Sequence, residues 1–372
     1  MTQAPKIAVD LRALVGRPSG IGFFTLSLLV DLARRRSARY VGMAQAPVYG
    51  EDLLRGAGVD VEYHGAPWGL IWQQLVLPRR LARGDVDLFW SPLLTLPLRL
   101  ATPAVVTVHD LTPLLFAEAH GFKVKASFAP FIRPTVELAR RVIADSEATA
   151  TDLCTQFPQV RDKVAVVYPG IDPEFEPAPA AEIAAVRAEL GCPDGYVLFA
   201  GTLEPRKNLP LLLEAWAALR ASDSTFPALI LAGSYGWKSR FLLKRIRALE
   251  PLGLRYLDHL SRDRLIRLIQ SARVLVLPSL YEGFGLPAAE AMACGVPTVV
   301  AASSSLPEVV GDAGLLFEPD DGSALAVAIA RLIRDPGLAQ ELAGRGLERA
   351  RRFTWRRAAR EMEEIFGQVL GS

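Results

Sequence analysis

At 372 residues the chain has room for two domains, and its 51% hydrophobic and 22% charged residues exclude a disordered or fibrous chain. A net charge of +2 leaves no whole-protein field to attract nucleic acid, so none is expected as a partner. Three scattered cysteines, Cys154, Cys192 and Cys294, fit a reducing compartment better than a disulfide framework, and the four histidines make no metal spacing with them.

The opening MTQAPKIAVDL has no apolar core of signal-peptide length before the first strand-like run, so a cytoplasmic protein is expected. Apolar and β-branched runs at 7–11, 40–44, 59–63, 88–91, 104–109, 141–144 and 164–167 predict strands. Between them 23–35, 51–56, 70–83 and 128–139 have helical spacing, and this alternation predicts a parallel, doubly wound sheet. The most apolar region, 88–108, is broken by Ser91, Pro92, Pro97, Arg99 and Pro103, so it reads as two strands and a loop, not a membrane span. A linker rich in proline follows at 168–179. After a helix at 181–190 the alternation resumes, with strands at 196–200, 228–232, 255–257, 274–277 and 298–301. The last stretches, 338–350 and 354–370, are helical, and their arginines read as a solvated face. The fold class is therefore α/β, with two doubly wound Rossmann-like domains facing each other across a cleft. Sites in open sheets of this kind lie at the carboxyl ends of the strands.

Two stretches at such ends could carry chemistry. At 277–300, LPSLYEGFGLPAAEAMACGVPTVV, a short strand leads through Gly283-Phe284-Gly285 into a helix with Pro287 at its start and Gly295 and Pro297 at its end. A strand, glycine loop and helix start point N–H groups and a positive dipole end at one spot, which suits a phosphate. Glu282 and Glu290 frame that spot with seven residues between them. A carboxylate accepts from two vicinal hydroxyls at once, although singly each acid also reads as a loop acid or a helix-start acid. The second stretch, Gly201-Thr202-Leu203-Glu204-Pro205-Arg206-Lys207-Asn208, offers two adjacent cations to a diphosphate, or else a solvated surface pair.

The stretch 278–298 resembles the signature of the retaining glycosyltransferases of family 4, which have the two-domain GT-B fold. The similarity extends to Gly201-Thr202 with Arg206 and Lys207, to His109-Asp110 and to Ser19-Gly20-Ile21-Gly22, and so spans nearly the whole chain. It implies that Glu290 holds the donor ribose, while Glu282 and the N–H groups of Gly283, Phe284, Gly285 and Leu286 hold the donor sugar and phosphate. Arg206 and Lys207 would neutralise the leaving diphosphate, and the matching histidine, His109, would face the donor sugar. From its position alone His109 also reads as a satisfied core histidine, and Asp110 either orients the ring or ends the strand. Gly20 and Gly22 let backbone approach the donor phosphate or the acceptor. The final helix of this family crosses back to the first domain. That implies an acceptor-side domain at 1–170 completed by 354–372, and a donor-binding domain at 171–353.

Asp85-Val86-Asp87 resembles the metal-holding pair of transferases of another fold, but beside Gly84 it reads as turn acids, so no metal is expected. The run Trp68, Leu70, Ile71, Trp72, Leu75, Val76 and Leu77, followed by Arg79, Arg80 and Arg83, reads either as domain core or as an interfacial patch for a lipid-linked acceptor at the inner face of a membrane. The nucleobase is expected near Asp258, His259 and Leu260, with GDP-mannose or a UDP-sugar as donor and no separate cofactor. The resulting expectation is a retaining, metal-independent hexosyltransferase acting on a glycan or lipid-linked hydroxyl. A GT-B epimerase or phosphorylase, or a nucleotide-sugar-binding protein without turnover, is the alternative.

Overall fold

A computed structural model describes residues 4–16, 18, 20–115, 131–236 and 240–371. The chain divides into two compact units, one of residues 1–170 with 354–372 and one of residues 171–353. Ser19 and the first part of the helix expected at 128–139 lie outside the described residues.

The first unit holds seven strands: β1 (Lys6–Asp10), β2 (Arg39–Ala44), β3 (Asp60–Tyr63), β4 (Leu88–Ser91), β5 (Ala104–Val108), β6 (Arg141–Ala144) and β7 (Val164–Val166). They pair in parallel in the order β3-β2-β1-β4-β5-β6-β7, so the winding reverses between β1 and β4. Strands covered on both faces need apolar residues at successive positions, which is why they stand out as continuous runs. Alternate residues then feed opposite cores. Ile7 and Val9 join Leu28, Leu29 and Trp90 on one face, and Ala8 joins Val41, Trp72 and Phe89 on the other.

The helix Trp355–Leu370 belongs to the first of these cores. Thr354 caps it by accepting from the Arg357 N–H, and it buries Trp355, Ala358, Ala359, Met362, Ile365, Phe366 and Val369 on one stripe. That stripe packs with the helix Gly20–Arg35. Phe366→Ala would cost about 3–5 kcal/mol by leaving a cavity in this core.

The second unit holds β8 (Tyr196–Ala200), β9 (Ala228–Ala232), β10 (Leu254–Leu257), β11 (Val274–Leu277), β12 (Thr298–Ala301) and β13 (Gly314–Phe317). The order is β10-β9-β8-β11-β12-β13, again all parallel and reversing between β8 and β11. Strand β13 was not anticipated: it opens on glycine and is partly exposed at the sheet edge, so its apolar run is short. Among the described residues no helix is long and apolar enough to cross a membrane.

Candidate functional site

In the second unit the loop after β8 and the loop after β11 meet. Leu280 N–H donates to the Arg206 carbonyl at 2.7 Å, and the Arg206 Nη1 donates to the Tyr281 carbonyl at 2.9 Å. The same Nη1 donates to Glu282 Oε2 at 2.9 Å, while Lys207 Nζ donates to both Glu282 oxygens at 2.6 and 2.8 Å. Ser279 Oγ donates to Glu282 Oε1 at 2.6 Å, and Glu204 Oε1 pairs with Arg206 Nε at 2.5 Å. The two cations foreseen for a diphosphate are thus held by two carboxylates. Burial alone would push the Glu282 carboxyl up, but Lys207, Arg206 and Ser279 hold it down at about 2. Burial also lowers the Lys207 ammonium, against the pull of Glu282.

Glu282 thus has cation partners of its own, besides the donor role expected of it. Four hydrogen bonds from three donor groups occupy the roughly four lone-pair positions of its carboxylate. The carboxylate thereby orients the Arg206 and Lys207 side chains. Sequence spacing pointed to the residue but not to its partners. Ser279 and Glu204 carried no separate signal.

The helix Leu286–Ala293 starts beside this cluster. Gly285 is its N-cap at φ +95°, a left-handed conformation, and a Cβ there would come within 2.7 Å of Leu306 Cδ2. A glycine cap brings no side chain to the first turn, so no side-chain cap covers the helix start. Pro287 stands within that turn as foreseen.

One turn further, Glu290 is partly exposed, and among the described residues no hydrogen bond engages its carboxylate. Burial raises its carboxyl to about 7, with Arg262 pulling down and Asp172 pushing up. Arg262 itself pairs with Asp172 at 2.5 Å and with Glu174 at 3.3 Å, and stacks over the Phe175 ring at 5.5 Å. The linker segment after Gly170 therefore lines the Glu290 side of the unit, which its proline-rich sequence did not reveal. Leu260 is partly exposed beyond β10, where His259 adopts φ +51° and its N–H is held by Asp258. The Tyr235 and Tyr256 rings meet nearby at a tilt of 38°, with centroids 4.5 Å apart.

In the first unit His109 follows β5. Its Nδ1 is 2.6 Å from Asp145 Oδ2 and its Nε2 is 2.8 Å from the Pro92 carbonyl oxygen. A carboxylate and a carbonyl both only accept, so each ring nitrogen must donate and the ring is an imidazolium. Burial lowers the His109 value, but Asp145, Pro92 and Asp110 more than offset it and the net shift is upward. Phe24 packs edge-on against the ring at 4.7 Å. Both ring nitrogens of His109 are engaged within the first unit, by Asp145 and by the Pro92 carbonyl. Asp110 does not orient the ring. Its Oδ1 accepts from the Thr112 N–H and hydroxyl and starts a helical turn, while Asp145 holds the histidine.

Gly20 opens the helix Gly20–Arg35, with space around it. Gly22 has a packing use: a Cβ there would sit 2.7 Å from the Ala13 carbonyl oxygen and from Pro18 Cβ. The acids of 85–87 are engaged within the fold, Asp85 with Arg80 and Lys6 and Asp87 with the Lys6 N–H. Among the described residues no group of three or more His, Cys, Asp or Glu is arranged to hold a metal ion. The stretch 68–83 divides between core and surface. Trp72 and Leu77 are core, and Arg80 is buried against Glu62 and Asp85, whereas Trp68 is 71% and Leu75 52% exposed.

Comparison with known proteins covers both halves of the chain. The pattern of glycosyl transferases group 1 matches residues 187–349 and that of glycosyltransferase family 4 matches residues 19–175. The O-antigen chain mannosyltransferase B of Escherichia coli is 32% identical over 354 residues, 91% of this chain and 93% of that protein. The D-inositol 3-phosphate glycosyltransferase of Streptomyces bingchenggensis is 34% identical over 248 residues, 63% of this chain and 54% of its own. Among solved structures, Anabaena HepE in complex with UDP-glucose has a TM-score of 0.76 at 21% identity, over 98% of this chain and 99% of that one. WaaG, a glycosyltransferase involved in lipopolysaccharide biosynthesis, has a TM-score of 0.76 at 16% identity, over 96% and 99%. At such identities the likeness carries the fold, which is GT-B.

Proposed function

Since the chain belongs to the group 1 and family 4 glycosyl transferases and acts on a nucleotide sugar, we propose that it moves mannose from GDP-mannose to a hydroxyl of a glycan or lipid-linked acceptor, with retention and without a metal. The mannosyltransferase name of the Escherichia coli relative supports mannose, and HepE with UDP-glucose keeps a UDP-sugar as the alternative donor.

The observation that carries this reading is the pairing of Arg206 and Lys207 with Glu282 beside the glycine-capped helix start. A diphosphate leaving group needs positive charge that is already placed when its own negative charge develops. Two cations held by carboxylates, together with a helix dipole, supply it without reorganisation. Glu290, with its carboxylate left for an incoming diol, holds the ribose. No carboxylate of this cluster is left to attack the anomeric carbon, because Glu282 is spent on the cations. Transfer therefore proceeds on one face: the bond from the anomeric carbon to the phosphate oxygen breaks, the acceptor oxygen bonds to the same face, and its proton passes to the leaving phosphate. His109 contributes a fixed positive charge bracing the ends of β4, β5 and β6. The exposed Trp68, Leu70 and Leu75 with Arg79 and Arg83 suit a lipid-linked acceptor at a membrane surface.

Incubation with a panel of nucleotide sugars and NMR of the product tests the proposal. Acceptor-dependent release of GDP with retained configuration is expected; an inverted product would overturn the mechanism. Flotation with anionic vesicles tests the surface, and failure to bind would remove the membrane contact.

A further inference from the structure

Three consecutive serines just beyond β12 have no part in the chemistry above, yet all three grip the loop that carries it. Ser303 Oγ donates to the Ser279 carbonyl at 2.6 Å. Ser304 Oγ accepts the Glu282 N–H at 2.8 Å. Ser305, wholly buried, places its hydroxyl 2.9 Å from the Glu282 carbonyl oxygen and 2.8 Å from that of Phe284, so one proton serves both. The backbone of the loop is thus tied at residues 279, 282 and 284 from one side.

Two features mark this clasp as more than loop packing. Ser304 holds φ +44°, a conformation that non-glycine residues adopt only where their surroundings impose it and that gathers at functional sites. In a trans peptide the carbonyl oxygen and the following N–H also point in opposite directions. Turning the carbonyls of Glu282 and Phe284 towards Ser305 therefore turns the N–H groups of Gly283 and Gly285 to the other side of the loop. Holding the Glu282 backbone likewise sets where its carboxylate meets Lys207 and Arg206.

We infer that Ser303, Ser304 and Ser305 are positioning residues for the donor diphosphate, acting through the backbone of 279–285. They touch no reacting atom. The inference rests on the reading of this unit as the donor site.

Calorimetric titration of the full chain with GDP, GMP, UDP and UMP tests it. Ser304→Gly removes the hydroxyl while relaxing the backbone, and it should weaken the tighter of the two diphosphates by about five- to tenfold. The matching monophosphate should weaken less than twofold. Ser304→Asn, which tolerates the left-handed backbone and keeps an acceptor oxygen, should recover most of the loss. Ser305→Ala should act in the same direction; if it fails to fold, the two Ser304 variants still decide. Equal weakening of diphosphate and monophosphate, or none, would overturn the inference. Lys207→Ala separates the two levels. If it loses diphosphate affinity while Ser304→Gly does not, only the serine clasp fails; if it too leaves affinity unchanged, the donor-site reading itself fails.

Discussion

The loop 279–285 and the helix Leu286–Ala293 each present one glutamate, eight positions apart, and treat it in opposite ways. Glu282 is surrounded by Lys207, Arg206 and Ser279 and stays ionised down to about pH 2. Glu290 is desolvated without a hydrogen-bonded cation, and its carboxyl rises to about 7. Spacing alone makes the two acids look like a matched pair. One secures cations, while the other is desolvated, with no hydrogen bond to its carboxylate among the described residues. The same contrast separates the two units: His109 in the first is fully partnered, and Glu290 in the second is not.

Lys207→Ala would break the comparison most severely. It removes a buried cation from Glu282, so stability of the second unit should fall by about 3 kcal/mol in urea unfolding. Turnover should drop by about 100- to 1,000-fold. Glu290→Gln is expected to act in two directions. Nucleotide affinity should fall by about 10- to 100-fold in calorimetry, because a charged acceptor for the ribose is lost. Stability should rise, since the ionised carboxylate is the disfavoured form inside the fold; a melting point higher by a few degrees is the expected sign.

Asp145→Asn carries the contrast to the first unit. It removes the charge that faces the His109 imidazolium and should cost about 2 kcal/mol. Because the His109 value is raised in the fold, this contribution is complete below its ordinary 6.5 and is lost as pH rises through the raised value. The cost measured in thermal unfolding should therefore be larger at acidic than at alkaline pH.

The smallest effect is the pH profile of the second unit. Glu290 is raised from 4.5 to about 7, so its destabilising charge is present above that window and fades as pH falls through it. Glu282 is lowered from 4.5 to about 2, so its stabilising charge is lost only as pH falls through that lower window. Unfolding followed against pH should show stability rising on mild acidification by the order of 1 kcal/mol, then falling in stronger acid. Glu290→Gln should flatten the first limb and leave the second. An unchanged first limb would remove Glu290 as its origin.

Much of the fold is legible in the chain. Both sheets are parallel and covered on both faces, so their central strands must be continuous apolar runs, and the closing helix announces itself by the spacing of Trp355, Met362 and Phe366. The stretch 68–83 is harder to read because core and surface residues alternate along a helix interrupted by a wider turn at Trp72–Val76. Of the site, Glu282, Glu290, Arg206 and Lys207 stand in recognisable motifs. Asp145, Ser304 and Ser305 do not, since a lone acid or a run of serines after a strand has no distinctive spacing.

The amino-acid order determined by itself that there are two wound sheets, where their strands end, and which charged residues stand at those ends. It did so because hydrophobic period, glycine and proline act over a few neighbouring residues. Only the tertiary structure decided what each charged residue is worth. Lys207 and Glu282 are 75 positions apart and Ser304 and Glu282 are 22 apart, brought together because β8, β11 and β12 are neighbours in the sheet. Desolvation and Coulomb attraction depend on such neighbours in space, so of two glutamates in one motif one is held down by its cations and the other pushed up by burial.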